Sequence, residues 1–229
     1  MKRNITEIIE RFNEEKIDLN HRYNSFDFCY AHFRESKSDP AKRNIEKSCQ
    51  VLWSYLASWG MLRGSSFLLQ KNPAYLKELV EWIYDQPEST WNLDVQDYKE
   101  KQNEISALYE GVKEKILKGE EHQHLTLVTK ILLGVFAVVP AYDRFFTETF
   151  KEVSKEIDGY CGFTCFDERS LNVIYKFYFE NRTEIDKLSN ANKVKSFDGS
   201  DTQYNYSKAK IIDMYGFYVG FDKSLLQKK

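Results

Sequence analysis

The sequence predicts an all-α fold: a single compact globular domain over residues 1–229, with about eight to ten helices around a buried central helix. Three observations lead there. Apolar residues recur at helical spacing along most of the chain, beginning with Ile5, Ile8, Ile9 and Phe12. Only four prolines and ten glycines punctuate the sequence, too few for the many turns of an all-β protein. Pro40 and Pro73 each follow a good capping residue, Asp39 and Asn72, which is how helices start. A chain of this length buries roughly 70% of its unfolded surface, so it needs neither metal nor disulfide to fold.

Taken in order, the first helix is expected over residues 4–16. The second is expected over 19–35, with Tyr23, Phe26, Tyr30 and Phe33 on one stripe. Asp39-Pro40 should open a long apolar helix reaching about residue 69, bent at Gly60 or Gly64. Asn72-Pro73 opens another, ending near Asp85, and residues 86–90 form a loop. Asp94 caps a charged helix that Gly119 stops. Residues 125–139 are nearly all apolar and read as the buried central helix, which Pro140 interrupts before an amphipathic helix resumes over 141–157. Asp167 caps the next helix. Residues 189–206 are polar and read as an exposed loop, after which Ser207 caps a last helix carrying Ile211, Ile212, Tyr215, Phe217 and Tyr218.

Composition narrows the classes of function. A net charge of −2 provides no global field to recruit nucleic acid or an anionic membrane. Met1-Lys2-Arg3-Asn4 has no apolar stretch behind it, and the longest apolar run, 131–141, is far short of the ~20 residues of a membrane span. The four cysteines read as reduced thiols. Together these features fit a bacterial-type cytoplasmic protein with no membrane role. The 15 Tyr and 16 Phe read as core filling, and Tyr175-Lys-Phe-Tyr-Phe comes nearest to a base-stacking surface.

The polar residues in apolar surroundings carry the chemistry. Gly60 and Gly64 are four apart, as are Trp59 and Arg63, so a helix would place each pair on one face. A lone arginine in so apolar a helix must find a carboxylate or a bound anion, because burying an unpaired charge is costly. Asp143, which follows Pro140 and is flanked by Tyr142 and Arg144, is expected to cap a helix. Asp213 lies among apolar residues in the last helix, and it and Asp143 are the expected partners of Arg63. Glycine-rich nucleotide loops, the nucleophile elbow and the H-E-x-x-H zinc motif are all missing, so no cofactor is implied. His122 and His124 read as solvated. Cys161 and Cys165 lack a second ligand pair, so no metal site is expected.

Four segments, 22–33, 56–70, 130–146 and 210–220, together resemble a group of uncharacterised bacterial proteins, a resemblance that implies no activity. Leu133-Gly134-Val135 followed by Val139-Pro140-Ala-Tyr-Asp143 is similar to parts of the helix-hairpin-helix DNA glycosylases. In that family a glycine hairpin binds the DNA backbone and an aspartate after a proline assists base excision. The resemblance implies catalytic roles for Asp143 and for Lys130 as a Schiff-base amine. The chain departs from the family in having Ala137 or nothing where the hairpin's second glycine stands, and in the short separation of Val135 from Asp143.

Two functions follow as expectations. The first is binding of a partner protein or a small anionic ligand near Arg63, with Trp59, Tyr142, Arg144 and Asp213 as contacts. The second is a nucleic-acid-processing enzyme working through Asp143, Lys130 and Arg63.

Overall fold

Asn4 opens α1 (Ile5–Glu15) by accepting the Glu7 amide, and Ile5, Ile8, Ile9 and Phe12 turn inward at the expected spacing. The computed structural model describes residues 4–226, and over them the chain is all-α, with eleven α-helices and one small two-stranded ribbon. α2 (Asn24–Ser38) starts later than the apolar pattern suggests. The Asn24 side-chain amide donates to the carbonyls of Lys16, Asp18 and Leu19, and so holds the preceding segment as a loop.

Asp39-Pro40 yields only a 3₁₀ turn, and Asn44 caps α3 (Ile45–Ser58) instead. The expected helix to residue 69 does not form. Gly60 takes a left-handed φ of 76°, its amide donates to Ala57, and the Met61 amide donates to Leu56, which closes α3 at Trp59. Gly64, at φ 62°, turns the chain again, so residues 60–66 are a loop.

α4 (Lys77–Asp85) and α5 (Glu88–Trp91) lead to α6 (Gln102–Leu117), which ends in a left-handed Lys118 and Gly119. Asp94 caps a 3₁₀ turn rather than α6, and its carboxylate also accepts the amides of Lys208 and Ala209 at the start of the last helix. α7 (Leu125–Phe136) is the central helix, buried without interruption from Leu127 to Phe136. It stops three residues short of the expected end, at a left-handed Ala137. α8 (Arg144–Ile157) follows, then α9 (Glu168–Glu180) behind an Asp167–Ser170 capping box, and α10 (Arg182–Ala191).

The expected loop over 189–206 is instead the end of α10 and an antiparallel ribbon of β1 (Lys193–Lys195) and β2 (Asp201–Asn205). Its strands are too short for a period-two pattern to show. Ser207 then caps α11 (Lys208–Leu226) by accepting the Lys210 amide. No described helix is long and apolar enough to cross a membrane.

The α2–α3 contact carries a titratable group. His32 Nε2 lies 2.8 Å from the Ser48 hydroxyl, which also meets the Tyr84 phenol at 2.7 Å. Burial, reinforced by the Lys47 charge, pushes His32 down from 6.5 to about 4. The fold therefore keeps the ring neutral in a range where the unfolded chain takes up a proton. Its contribution is complete above pH 6.5 and is lost as pH falls toward 4. Urea unfolding should show this loss as on the order of 2 kcal/mol after allowance for partial exposure, and His32→Gln should flatten that part of the profile.

Candidate functional site

Chain segments far apart in sequence converge on Trp59, the residue that ends α3. Its ring stacks on Tyr23 at 5.6 Å and meets the edge of Phe217 at 5.4 Å. The ammonium groups of Lys130 and Lys210 lie 4.9 and 5.7 Å from its centre. Lys130 Nζ donates to Asp143 Oδ2 at 3.1 Å, and Lys210 Nζ donates to Asp213 Oδ2 at 3.0 Å. The remaining carboxylate oxygens are also occupied. Asp143 Oδ1 accepts the Phe146 amide at the start of α8, and Asp213 Oδ1 accepts the Ala141 amide, both at 3.0 Å. Asp213 thus ties α11 to the turn between α7 and α8. The space left between Tyr55, Trp59, Lys130, Asp143, Asp213 and Phe217 is too tight for a water molecule. The Trp59 indole N–H is buried there without a partner. Two satisfied ion pairs in so closed a setting hold helices together.

Arg63 stands apart from this cluster, which overturns the expected Arg63 pairing with Asp143 or Asp213. Because α3 stops before it, Arg63 is an exposed loop residue with no described carboxylate partner. Its guanidinium folds back over Gly60, where a Cβ would lie 2.8 Å from Nε. Tyr142 also departs from expectation. It is buried, its hydroxyl donates to Ser170 at 3.1 Å, and its ring packs on Phe146 and Phe163, so it anchors α8 to α9. Arg144 is exposed on the first turn of α8, 3.7 Å from Glu148. The structure therefore unites Trp59, Lys130, Asp143 and Asp213, and places Arg63, Tyr142 and Arg144 elsewhere.

The enzymatic expectation meets a geometric obstacle. The Lys130 side chain is only 4% exposed, its amine is held by Asp143, and the space beside it is too tight even for a water molecule, so no substrate reaches it. Residues 133–137, where the resemblance places the hairpin that would offer amides to a phosphate, are all buried and lie in α7 and its left-handed end.

A second feature lies at the surface. The 60–66 loop, the start of α7 and residues 164–166 enclose an open groove of about 1180 Å³. Arg63, His122 and His124 line it, and neither histidine is fully solvated. His122 stacks face to face on Phe67 at 4.3 Å, and Tyr109 stacks on Phe166 at the same distance, which gives the groove aromatic walls. Thr126 and Leu127, in the first turn of α7, reach into it. That turn has no side-chain cap and no acidic residue, so its free N–H groups and the positive end of the helix dipole are uncompensated.

No family model, no curated protein and no solved structure matches this chain. Among the described residues, no group of three or more His, Cys, Asp or Glu is placed to hold a metal ion.

Of the residues singled out in the sequence, Trp59, Lys130, Asp143 and Asp213 meet in the core, whereas buried Asp27 and the groove were missed. The missing cap before Leu125 was the groove's one legible sign, since His124 stands where α8, α9 and α11 have Asp or Ser.

Proposed function

We propose that this chain is a bacterial cytoplasmic binding protein that takes a small anionic ligand in the groove beside Arg63. The observation that carries the proposal is that an unpaired guanidinium and the uncapped N-terminus of α7 open onto one cavity. Both are donors without acceptors. A carboxylate or phosphate between them would satisfy the helix amides and the arginine at once. Phe67 and Phe166, both partly exposed, offer apolar surface to the rest of such a ligand. Glu110 and Glu121 on the rim oppose a long polyanion, in keeping with the overall charge, and leave room for a small one.

Calorimetric titration with inorganic phosphate tests the reading. Wild-type protein should bind saturably, and Arg63→Ala should weaken binding by about tenfold or more, the worth of one or two charge-assisted hydrogen bonds. The same variant should unfold within about 0.5 kcal/mol of wild type, because an exposed side chain without a partner contributes little to the fold. Absence of binding by the wild type, or equal binding by the variant, would overturn the proposal.

A further inference from the structure

A third cluster lies at the end of α1 and shares no residue with the groove or the Trp59 core. Lys16 Nζ donates to both oxygens of Asp27, at 2.9 and 2.8 Å, and touches the Tyr206 hydroxyl. That hydroxyl donates to Asp27 Oδ1 at 2.6 Å. The Lys195 amide of β1 completes the carboxylate's shell at 3.0 Å. The Lys16 side chain is 9% exposed and that of Asp27 is fully buried. Lys16 and Tyr206 form part of the wall of a pocket of about 510 Å³, within the size range of small-molecule sites. Ile17 and Leu19 give that pocket an apolar side, and Asn192 and Lys193 lie on its rim. Lys193 is exposed and has no described carboxylate partner.

We propose that Lys16 is a nucleophilic amine that condenses reversibly with the keto carbon of a small 2-oxo acid bound in this pocket. A pair that served only to pin α1 against α2 would not need to line a cavity, with a phenol as third member. The three groups supply what the condensation requires. Asp27 takes a proton from the ammonium, and the freed lone pair attacks the keto carbon as the C=O π pair moves to oxygen. Tyr206 protonates that oxygen and regains its proton through Asp27. Asp27 then takes a second proton from the nitrogen, and Tyr206 passes one to the hydroxyl and is again reprotonated through Asp27. The C–O bond breaks as water leaves, while the nitrogen lone pair forms the C=N bond. Of the three ammonium hydrogens, two depart in the water and one stays on the iminium nitrogen, so atoms and charge balance. The free Lys193 ammonium is the partner for the acid's carboxylate, and Ile17 and Leu19 receive its alkyl end.

Electrostatics support the proton transfer. Burial lowers Lys16 and raises Asp27, and in each case it outweighs the attraction of the opposite charge. Both shifts bring the ammonium and the carboxylic acid closer in strength.

Incubating the protein with pyruvate and sodium cyanoborohydride, then mapping peptides by mass spectrometry, tests the proposal. The reduced adduct should accumulate on Lys16 at least about tenfold faster than on a lysine outside the pocket such as Lys99, and Lys16→Arg should abolish that peptide's adduct. Labelling at Lys16 no faster than at Lys99 would overturn the proposal, and this comparison needs only wild-type protein. Equal labelling by acetone, which lacks the carboxylate, would overturn the 2-oxo acid assignment.

Discussion

Asp213→Ala is expected to destabilise the fold by roughly 3–5 kcal/mol, the usual cost of removing one partner from a buried ion pair. The size follows from what is left behind. Lys210 is 1% exposed, its ammonium lies 4.4 Å from the centre of the Phe26 ring, and among the described residues Asp213 is its one carboxylate at hydrogen-bonding distance. Truncation also strands the Ala141 amide, buried in the turn between α7 and α8. A domain has only about 5–15 kcal/mol in all, so the variant should stand near the limit of folding. The charge, rather than the contact, carries most of the loss. Lys210→Met combined with Asp213→Leu should therefore recover a large part of it, since apolar replacement of a whole buried pair is often neutral. Urea unfolding followed by circular dichroism measures both. A single variant within about 1 kcal/mol of wild type would mean that water reaches the pair.

This cluster also shows how far the sequence could be read. A charged residue among apolar ones is visible in one dimension, which is why Asp213 stood out; Asp143 stood out as a cap after Pro140, and Lys130 only through the resemblance to the glycosylases. The Lys130–Asp143 pairing is not visible, because it depends on how the chain turns between α7 and α8. Lys210 and Asp213, three apart on one helix, were within reach of spacing alone. Asp213 pairs with Lys210, one turn earlier on its own helix, whereas Asp143 reaches back across a turn to Lys130. Arg63 looked buried only on the assumption that α3 continued past Gly60. Capping residues were legible because they are local, and Asp167 and Ser207 open α9 and α11 as expected. Asp39 and Asp94 show, however, that a good cap can open a 3₁₀ turn instead of the long helix. The pocket around Lys16 left no such trace, since it joins the end of α1 to residues 27, 195 and 206.

Glycine was the most ambiguous letter. Gly60 and Gly64 share the four-residue spacing of a close helix approach, yet both take left-handed turns. The close approach is made by Gly216 and Gly220 on α11, which face α8. Gly134 in α7 likewise lies against the Tyr55 ring. Local sequence cannot separate a glycine that ends a helix from one that lets a neighbour in, because the deciding atoms belong to another element.

Gly220→Ala is the sharpest test of that distinction. A Cβ there would sit 2.3 Å from the Phe145 carbonyl oxygen, a backbone atom that can move away only if α8 moves with it. Alanine favours a helix by about 1 kcal/mol over glycine, so an unobstructed position would gain stability. Here the clash should win, with a net loss of about 3 kcal/mol, at the upper end of the usual cost of overpacking. For a chain of this size that loss corresponds to a fall of about 6–12 °C in melting temperature. Gly162→Ala is the matched control, because its Cβ would meet nothing closer than 3.6 Å and its φ is not left-handed. It should change stability by no more than about 0.5 kcal/mol. A Gly220→Ala protein melting at or above the wild-type temperature would mean that α8 and α11 are not held at this distance. The placement of Asp213 against the α7–α8 turn would then need revision as well, since α11 carries both residues.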